Sequence, residues 1–128
     1  MINVTINDLL NSVEALQKLS KMDFKAKLAW QVARLLKAAE SEIQSFNETR
    51  MTYIRKYGEK DENGELITDE QGNCKIEPAN ASKFTEELNE LINSEVELNA
   101  SKLDFAQMEN LMFTPSEMAV LDPFIEFE

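Results

Sequence analysis

A single long apolar stripe constrains the fold of this chain more than any other feature of its sequence. Between residues 24 and 57, apolar side chains recur at steps of three and four residues, the period of one face of an α-helix. The stripe consists of Leu28, Val32, Leu35, Ala39, Ile43, Phe46, Tyr53 or Ile54, and Tyr57. A helix of about 34 residues is about 50 Å long, which exceeds what a small monomeric core covers. We therefore expect this helix to bend or to pack on another chain, and we expect a homo-oligomer.

Shorter signals lie on both sides of this helix. Gly58 is expected to end it in a left-handed cap. A first helix is expected at residues 8–20, with Thr5 or Asn7 as its N-cap. The other predicted elements are strands at residues 2–6 and 95–98, a helix at residues 81–93, and a helix that follows the capping box of Thr114 and Glu117 and ends near Leu121.

Two glycine turns, eight residues apart, follow the long helix. Residues 61–67 (DENGELI) and 69–76 (DEQGNCKI) begin alike and pass from a turn into a short apolar stretch. The pattern predicts a β-hairpin with strands near residues 65–68 and 73–77. The expected fold class is α+β, predominantly α: a long helical hairpin with a small antiparallel β-hairpin element, in a single domain of residues 1–128.

The charges divide the chain into two halves. The chain has 128 residues and a formal net charge of −11. Residues 1–57, the helical half, hold nine basic and six acidic residues, whereas residues 58–128 hold four basic and eighteen acidic ones. This asymmetry leaves room for a small anionic ligand on the first half and a cationic partner on the second. The overall charge disfavours duplex nucleic acid, because its phosphates would be repelled.

The composition excludes several kinds of catalysis. The chain has no histidine, so a Ser-His-Asp triad, a histidine base and a histidine metal ligand are all excluded. The lone cysteine, Cys74, cannot form an internal disulfide or a cysteine-based zinc site. Glu87 and Glu90 stand one helical turn apart, as in helical pyrophosphohydrolases that hold magnesium, but the second acidic pair of those enzymes has no match. We therefore expect no enzymatic activity and no cofactor.

No membrane segment is expected. The most apolar stretch, residues 28–39, is interrupted by Gln31, Arg34 and Lys37, whereas a membrane helix needs about 20 apolar residues. The first eight residues lack a basic start and an apolar core, so they do not read as a signal peptide.

An acidic loop resembles part of a calcium site. Residues 59–70 place oxygen donors at four ligand positions of an EF-hand loop, namely Glu59, Asp61, Asn63 and Glu70. Glu59 stands where the shorter aspartate is usual, and a glycine turn replaces the helix that should leave the loop. A solvated hairpin loop is the alternative that the sequence favours. No metal site is therefore expected, and these four residues are the calcium candidates.

Basic and aromatic side chains mark a candidate ligand-binding surface on the long helix. A cation beside an aromatic ring can hold a phosphate and stack a base. The candidates are Arg34, Lys37, Arg50, Tyr53, Arg55, Lys56 and Tyr57. The alternative is the ordinary polar face of an amphipathic helix. Trp30 fits either an anchor for a partner or a core residue.

The order of these features resembles small uncharacterised proteins of tailed phages and prophages of Gram-positive bacteria. The likeness is carried by residues 57–64 (YGEKDENG), the turn at residues 71–73, residues 84–91 (FTEELNEL), residues 114–117 (TPSE) and residues 121–126 (LDPFIE). It supplies no catalytic residue. The resemblance implies a viral protein of the host bacterial cytoplasm.

Two functions are compatible with this resemblance. The first is a non-enzymatic binding protein that antagonises host defence, by sequestering a nucleotide-like signal or by blocking a host protein. The alternative is a phage assembly or tail-associated accessory protein, which would be associated with the virion.

Overall fold

The computed structural model describes residues 1–127 and confirms a predominantly helical α+β chain. Glu128, the last residue of the predicted domain, lies outside that range. The helices within it are α1 (Ile6–Ser20), α2 (Ala26–Tyr57), α3 (Ala81–Ile92) and α4 (Pro115–Leu121). The strands within it are β1 (Ile2–Thr5), β2 (Glu95–Leu98), β3 (Leu103–Asp104) and β4 (Ile125–Glu126). In this range no helix is long and apolar enough to cross a membrane.

The starts of α1 and α4 follow from local capping. Thr5 is the N-cap of α1: its hydroxyl accepts a hydrogen bond from the Asp8 N–H at 3.1 Å, and the Asp8 carboxylate accepts one from the Thr5 N–H at 3.1 Å. Thr114 and Glu117 form the same reciprocal pair at the start of α4, as the sequence predicts. Such pairs satisfy amide groups that a helix end leaves without partners.

Gly58 follows the long helix directly, but not in the conformation predicted. Gly58 does not adopt a positive φ, whereas Gly64 and Gly72 do, at 80° and 83°. A Cβ atom on residue 58 would overlap the carbonyl oxygen of Ile54 and the side chain of Leu66. Glycine is therefore required here for close packing, and the predicted left-handed cap is wrong.

The chain forms two compact units. The first comprises Met1–Ile43 with Ser94–Glu128, and the second comprises Gln44–Asn93. These units do not coincide with the two charge halves, because residues after 94 return to pack with the first helix. Residues 1–43 of this chain thus share a core with part of the acidic half.

The core of the first unit is assembled from both ends of the chain. β1 and β2 pair antiparallel, with Ile2 opposite Leu98 and Val4 opposite Val96. β3 and β4 pair in parallel. The buried apolar side chains of this unit are Ile2, Val4, Ile6, Leu9, Ala15, Leu16, Leu19, Leu28, Val32, Leu35, Ala39, Leu98, Ala100, Leu103, Met108, Leu121, Phe124 and Ile125.

The second unit contains a closed turn module at residues 57–77. Three backbone hydrogen bonds of 2.8 Å run in a circle: the Glu59 N–H donates to Lys75 O, the Lys75 N–H to Ile67 O, and the Ile67 N–H to Glu59 O. The three residues are eight positions apart, so the predicted repeat of period eight is present as a threefold arrangement.

The turn module is more than the predicted hairpin. Two corners are tight turns, in which the Asp61 N–H donates to Glu65 O and the Asp69 N–H to Asn73 O, each at 2.8 Å. The third corner is formed by the two ends of the module, where the Glu77 N–H donates to Tyr57 O at 3.1 Å. Antiparallel bridges join Lys60 to Leu66, Thr68 to Cys74, and Gly58 to Ile76. The β structure therefore closes on itself.

Candidate functional site

The seven predicted ligand-binding residues are divided between the two units. Arg34 and Lys37 belong to the first unit, whereas Arg50, Tyr53, Arg55, Lys56 and Tyr57 belong to the second. All seven lie on α2. Each group is therefore described as a separate surface.

Tyr57 is part of a hydrogen-bonded cluster within the second unit. Its side chain is buried, and its hydroxyl donates a hydrogen bond of 2.8 Å to Glu87 Oε1 on α3. Its ring meets the ring of Phe84 edge to face, with centroids 6.5 Å apart. Because the ring is already enclosed, Tyr57 holds α2 and α3 in place and does not offer a free face for stacking a base.

Lys56 completes this cluster at the surface. Its ammonium group lies 3.9 Å from Glu87 Oε1 and 4.9 Å from the centroid of the Tyr57 ring. The Tyr57 hydroxyl, followed by the charge of Glu87, raises the pKa of Lys56 above its ordinary value. The second carboxylate oxygen of Glu87, Oε2, is buried and has no hydrogen-bond partner in the described part of the chain. Lys56 is thus an exposed cation beside an acidic and an aromatic side chain.

Arg50 and Tyr53 extend the same side of the helix. Arg50 is exposed and Tyr53 is half-buried, and the two are three residues apart, as are Tyr53 and Lys56. Residues at this spacing are neighbours on a helix surface. Arg55 is also exposed, but it lies about 160° around the helix from Tyr53, which stands between Arg50 and Lys56. We call Arg50, Tyr53 and Lys56 the basic–aromatic face.

Trp30 is an exposed residue, which decides between the two predicted roles. Its side chain is 61% exposed, and the guanidinium carbon of Arg34 lies 4.9 Å from its ring centroid. Lys37 follows Arg34 by three residues and is also exposed. Exposed tryptophan stacked with arginine is typical of interaction surfaces.

The calcium candidates are used in the turn module in another way. Asp61 Oδ1 accepts hydrogen bonds from the Asn63 N–H at 2.8 Å and the Glu65 N–H at 3.0 Å. Asp69 repeats this arrangement with Gln71 and Asn73. Across residues 1–127, no three acidic or cysteine side chains are gathered as metal ligands. Glu59 takes part in the turn module through its backbone N–H and carbonyl, and Glu70 is exposed at a turn.

Two functional features were missed in the sequence. Glu87 was considered only as a magnesium ligand, although it is the partner of Tyr57 and Lys56. No sequence signal links residues 30 positions apart. The second feature is an exposed apolar surface around Phe105 and Phe127, whose rings are 4.9 Å apart. The signal was the density of methionine and phenylalanine between residues 105 and 127.

Comparison with protein families, with curated proteins and with solved structures gives no match to this chain. The function must therefore be inferred from the geometry of its own residues.

Proposed function

We propose that this protein acts by binding and not by catalysis, and that it blocks a host protein through the basic–aromatic face. The observation that carries this proposal is the grouping of the exposed Lys56 ammonium with Glu87 and the Tyr57 ring. These neighbours favour positions of Lys56 on this face, which reduces the conformational freedom that is lost when a partner binds. The exposed Arg50 guanidinium and the half-buried Tyr53 ring add the residue types that are enriched at protein interfaces.

A protein partner fits this face better than a nucleotide-like signal. The Glu87 carboxylate lies beside the Lys56 ammonium and would repel a phosphate at that position. Tyr57, one of the two aromatic candidates for base stacking, is buried against Phe84. A protein surface can instead present a carboxylate to Arg50 and a hydrogen-bonding or apolar group to Tyr53. Of the two forms of host-defence antagonism, we therefore favour blockade of a host protein.

The resemblance to small phage proteins supports the viral origin in this proposal and the host cytoplasm as the place of action. The net charge of −11 adds a constraint on the partner. Long-range repulsion would keep most acidic bacterial proteins away, so the partner must be basic overall or match the face closely.

The test is a plating assay in bacterial strains that each carry one defence system. Each strain receives a plasmid copy of the gene and is challenged with a phage that its system restricts. We expect the wild-type protein to restore plaque formation in at least one strain. The double variant Arg50→Glu/Lys56→Glu should lose this effect, because two charges that attract the host protein are replaced by charges that repel it.

Arg55→Glu is the matched control, because it reverses an exposed arginine on the same helix outside the face. It should retain the wild-type effect. The proposal is overturned if no strain is restored, or if the double variant folds normally and plates as the wild type does.

A second candidate function is a phage assembly or tail-associated accessory protein. The exposed turns at Asp61–Gly64 and Asp69–Gly72 favour it, because two rigid acidic corners provide a repeated contact for a cationic assembly partner. Mass spectrometry of purified virions tests this alternative. Recovery of the protein in stoichiometric amount would support it and would count against the blockade of a host protein.

A further inference from the structure

The first unit carries an exposed cationic stripe on α2. We define the tryptophan stripe as Lys27, Trp30, Arg34 and Lys37, which recur at steps of three and four residues and are all exposed. Within residues 1–127, none of its three cations lies within 4.0 Å of a carboxylate oxygen. Trp30, exposed over 61% of its surface, is an apolar anchor in the middle of these charges. The side chains of the stripe are therefore open to solvent, and its three cations have no carboxylate partner within residues 1–127.

The same unit carries an apolar groove of about 230 Å³. We define the methionine–phenylalanine groove by its lining residues, which are Phe105, Met108, Glu109, Leu111, Phe113 and Met118. Large apolar side chains near it are exposed: Phe105 by 41%, Phe127 by 49% and Met112 by 83%. Methionine side chains adapt to the shape of a bound group, and exposed apolar patches of this kind mark interaction sites.

The groove lies in the acidic part of the unit. Residues 94–128 contain eight acidic residues and one basic residue, Lys102. Lys18 approaches the groove from α1, with its ammonium group 5.1 Å from the Phe113 ring centroid, but it is paired with Glu117 at 2.9 Å. Glu109 is exposed in the groove lining. Within residues 1–127, Glu109 is the one charged residue of this lining, and its charge is opposite to that of the tryptophan stripe.

The two patches are neighbours on the first unit. A cleft of about 720 Å³ has Lys27 on one side, and Glu109 and Leu111 on the other. Lys27 belongs to the stripe, whereas Glu109 and Leu111 also line the groove. When two complementary patches lie side by side, a twofold axis between two copies places the stripe of each copy on the groove of the other. Such an assembly is complete with two copies.

We propose that this protein forms a twofold dimer in which the tryptophan stripe of each copy docks in the methionine–phenylalanine groove of the other. A second copy is the occupant that charge complementarity favours, because one chain carries both the cationic and the acidic surface. Trp30 supplies the apolar anchor, and the lysines and Arg34 face the acidic part of the other copy that contains Glu109. This inference concerns the first unit and does not depend on the proposed function of the basic–aromatic face.

Sedimentation velocity on the purified full chain tests the dimer. We expect the wild type to be dimeric at about 50 μM and to dissociate more readily as salt rises, because the contacts are electrostatic in part. The stripe variant Trp30→Ala/Arg34→Glu and the groove variant Phe105→Ala/Glu109→Lys should each weaken the dimer at least about tenfold. Lys21→Glu, an exposed charge reversal outside the stripe, should leave the dimer unchanged.

Mixing the two variants provides the decisive measurement. The stripe variant still has a normal groove, and the groove variant still has a normal stripe. A dimer of one copy of each therefore retains one intact contact, between that stripe and that groove. Native mass spectrometry should therefore show more mixed dimer than dimer of either variant alone. A monomeric wild type at about 50 μM overturns the proposal. The proposal is also overturned if the variants fold and dimerise as the wild type does, or if their mixture contains no excess of the mixed dimer.

Discussion

The hydroxyl of Tyr57 donates a hydrogen bond of 2.8 Å to the carboxylate of Glu87, which joins the last residue of α2 to the middle of α3. The donor and the acceptor are 30 residues apart in the sequence, and the turn module lies between them. Tyr57 also provides the carbonyl that closes the module with the Glu77 N–H. One residue therefore anchors both the module and the helix that follows it.

Replacing Tyr57 by phenylalanine should lower the free energy of unfolding by about 2 kcal/mol, because a hydrogen bond to a charged group is lost while the ring remains. Urea denaturation of the wild type and the variant measures this difference. Tyr53→Phe is the matched control on the same helix and should cost much less, since that side chain is half-buried and its hydroxyl makes no hydrogen bond within residues 1–127. Equal losses in the two variants would contradict the structural role of Tyr57.

Alanine should be tolerated less well at position 58 than at position 64. At Gly58 a Cβ atom would overlap the Ile54 carbonyl oxygen, so we expect a loss of about 2 kcal/mol or more. At Gly64 no atom lies within 4 Å of the added Cβ, and only the φ of 80° is unfavourable, so about 1 kcal/mol is expected. Gly72→Ala should match Gly64→Ala, because its φ and surroundings are the same. Denaturant unfolding of the three variants ranks them.

The acidic loop should not bind calcium more tightly than about 1 mM. Asp61 Oδ1 already accepts two backbone N–H bonds, and rearranging them would open the turn. Calorimetric titration with calcium measures binding directly. Asp61→Asn keeps the side-chain oxygen that caps the turn, so its melting temperature should stay close to that of the wild type with or without calcium. A calcium-dependent rise in the melting temperature of the wild type alone would refute this expectation.

Glu117 should make the stability depend on acid pH. The Thr114 N–H, followed by the Lys18 ammonium, lowers the pKa of Glu117 from 4.5. A carboxyl group whose pKa is lower in the folded state stabilises the protein above its unfolded pKa, and this contribution is lost as the pH falls through the folded value. The melting-temperature gap between the wild type and Glu117→Gln should thus shrink below about pH 4.5.

The partner of Glu117 provides the control for this pH dependence. In a Lys18→Met background, the effect of Glu117→Gln at neutral pH should be smaller, because one of the groups that stabilises the carboxylate is absent. A gap that stays constant from neutral pH to below pH 4 would show that Glu117 contributes through its shape alone. Thermal unfolding followed by circular dichroism measures all four proteins.

Elements defined by local signals were predicted within two residues. The helix predicted at residues 8–20 extends over Ile6–Ser20, and the one predicted at residues 24–57 over Ala26–Tyr57. Capping by Thr5 and Thr114 involves residues only three positions apart, so a single sequence contains the whole interaction. Residues 99–113 gave no prediction, because β3 depends on parallel pairing with β4, more than 20 residues away.

The sites were less predictable than the fold, because residue type does not determine exposure. Tyr57 and Trp30 are both aromatic residues on α2, yet Tyr57 is 6% exposed and Trp30 is 61% exposed. The apolar stripe of the long helix includes Tyr57 and not Trp30, and this difference is the sequence signal that indicates which of the two is buried. The third corner of the turn module could not be predicted for a related reason: Tyr57 and Glu77, whose backbone groups form it, are separated in the sequence by both of the other turns.

The circular hydrogen bonding of the turn module has a consequence for how this sequence can vary. The backbone groups of Glu59, Ile67 and Lys75 must keep their positions relative to one another, since each residue donates to one of the others and accepts from the third. Insertions of a few residues should therefore accumulate at the tips near Gly64 and Gly72, where the chain faces solvent. The chain enters and leaves the module at one corner, where Tyr57 and Glu77 meet. A different module could therefore replace residues 58–76 in evolution while the sequences of α2 and α3 stay the same.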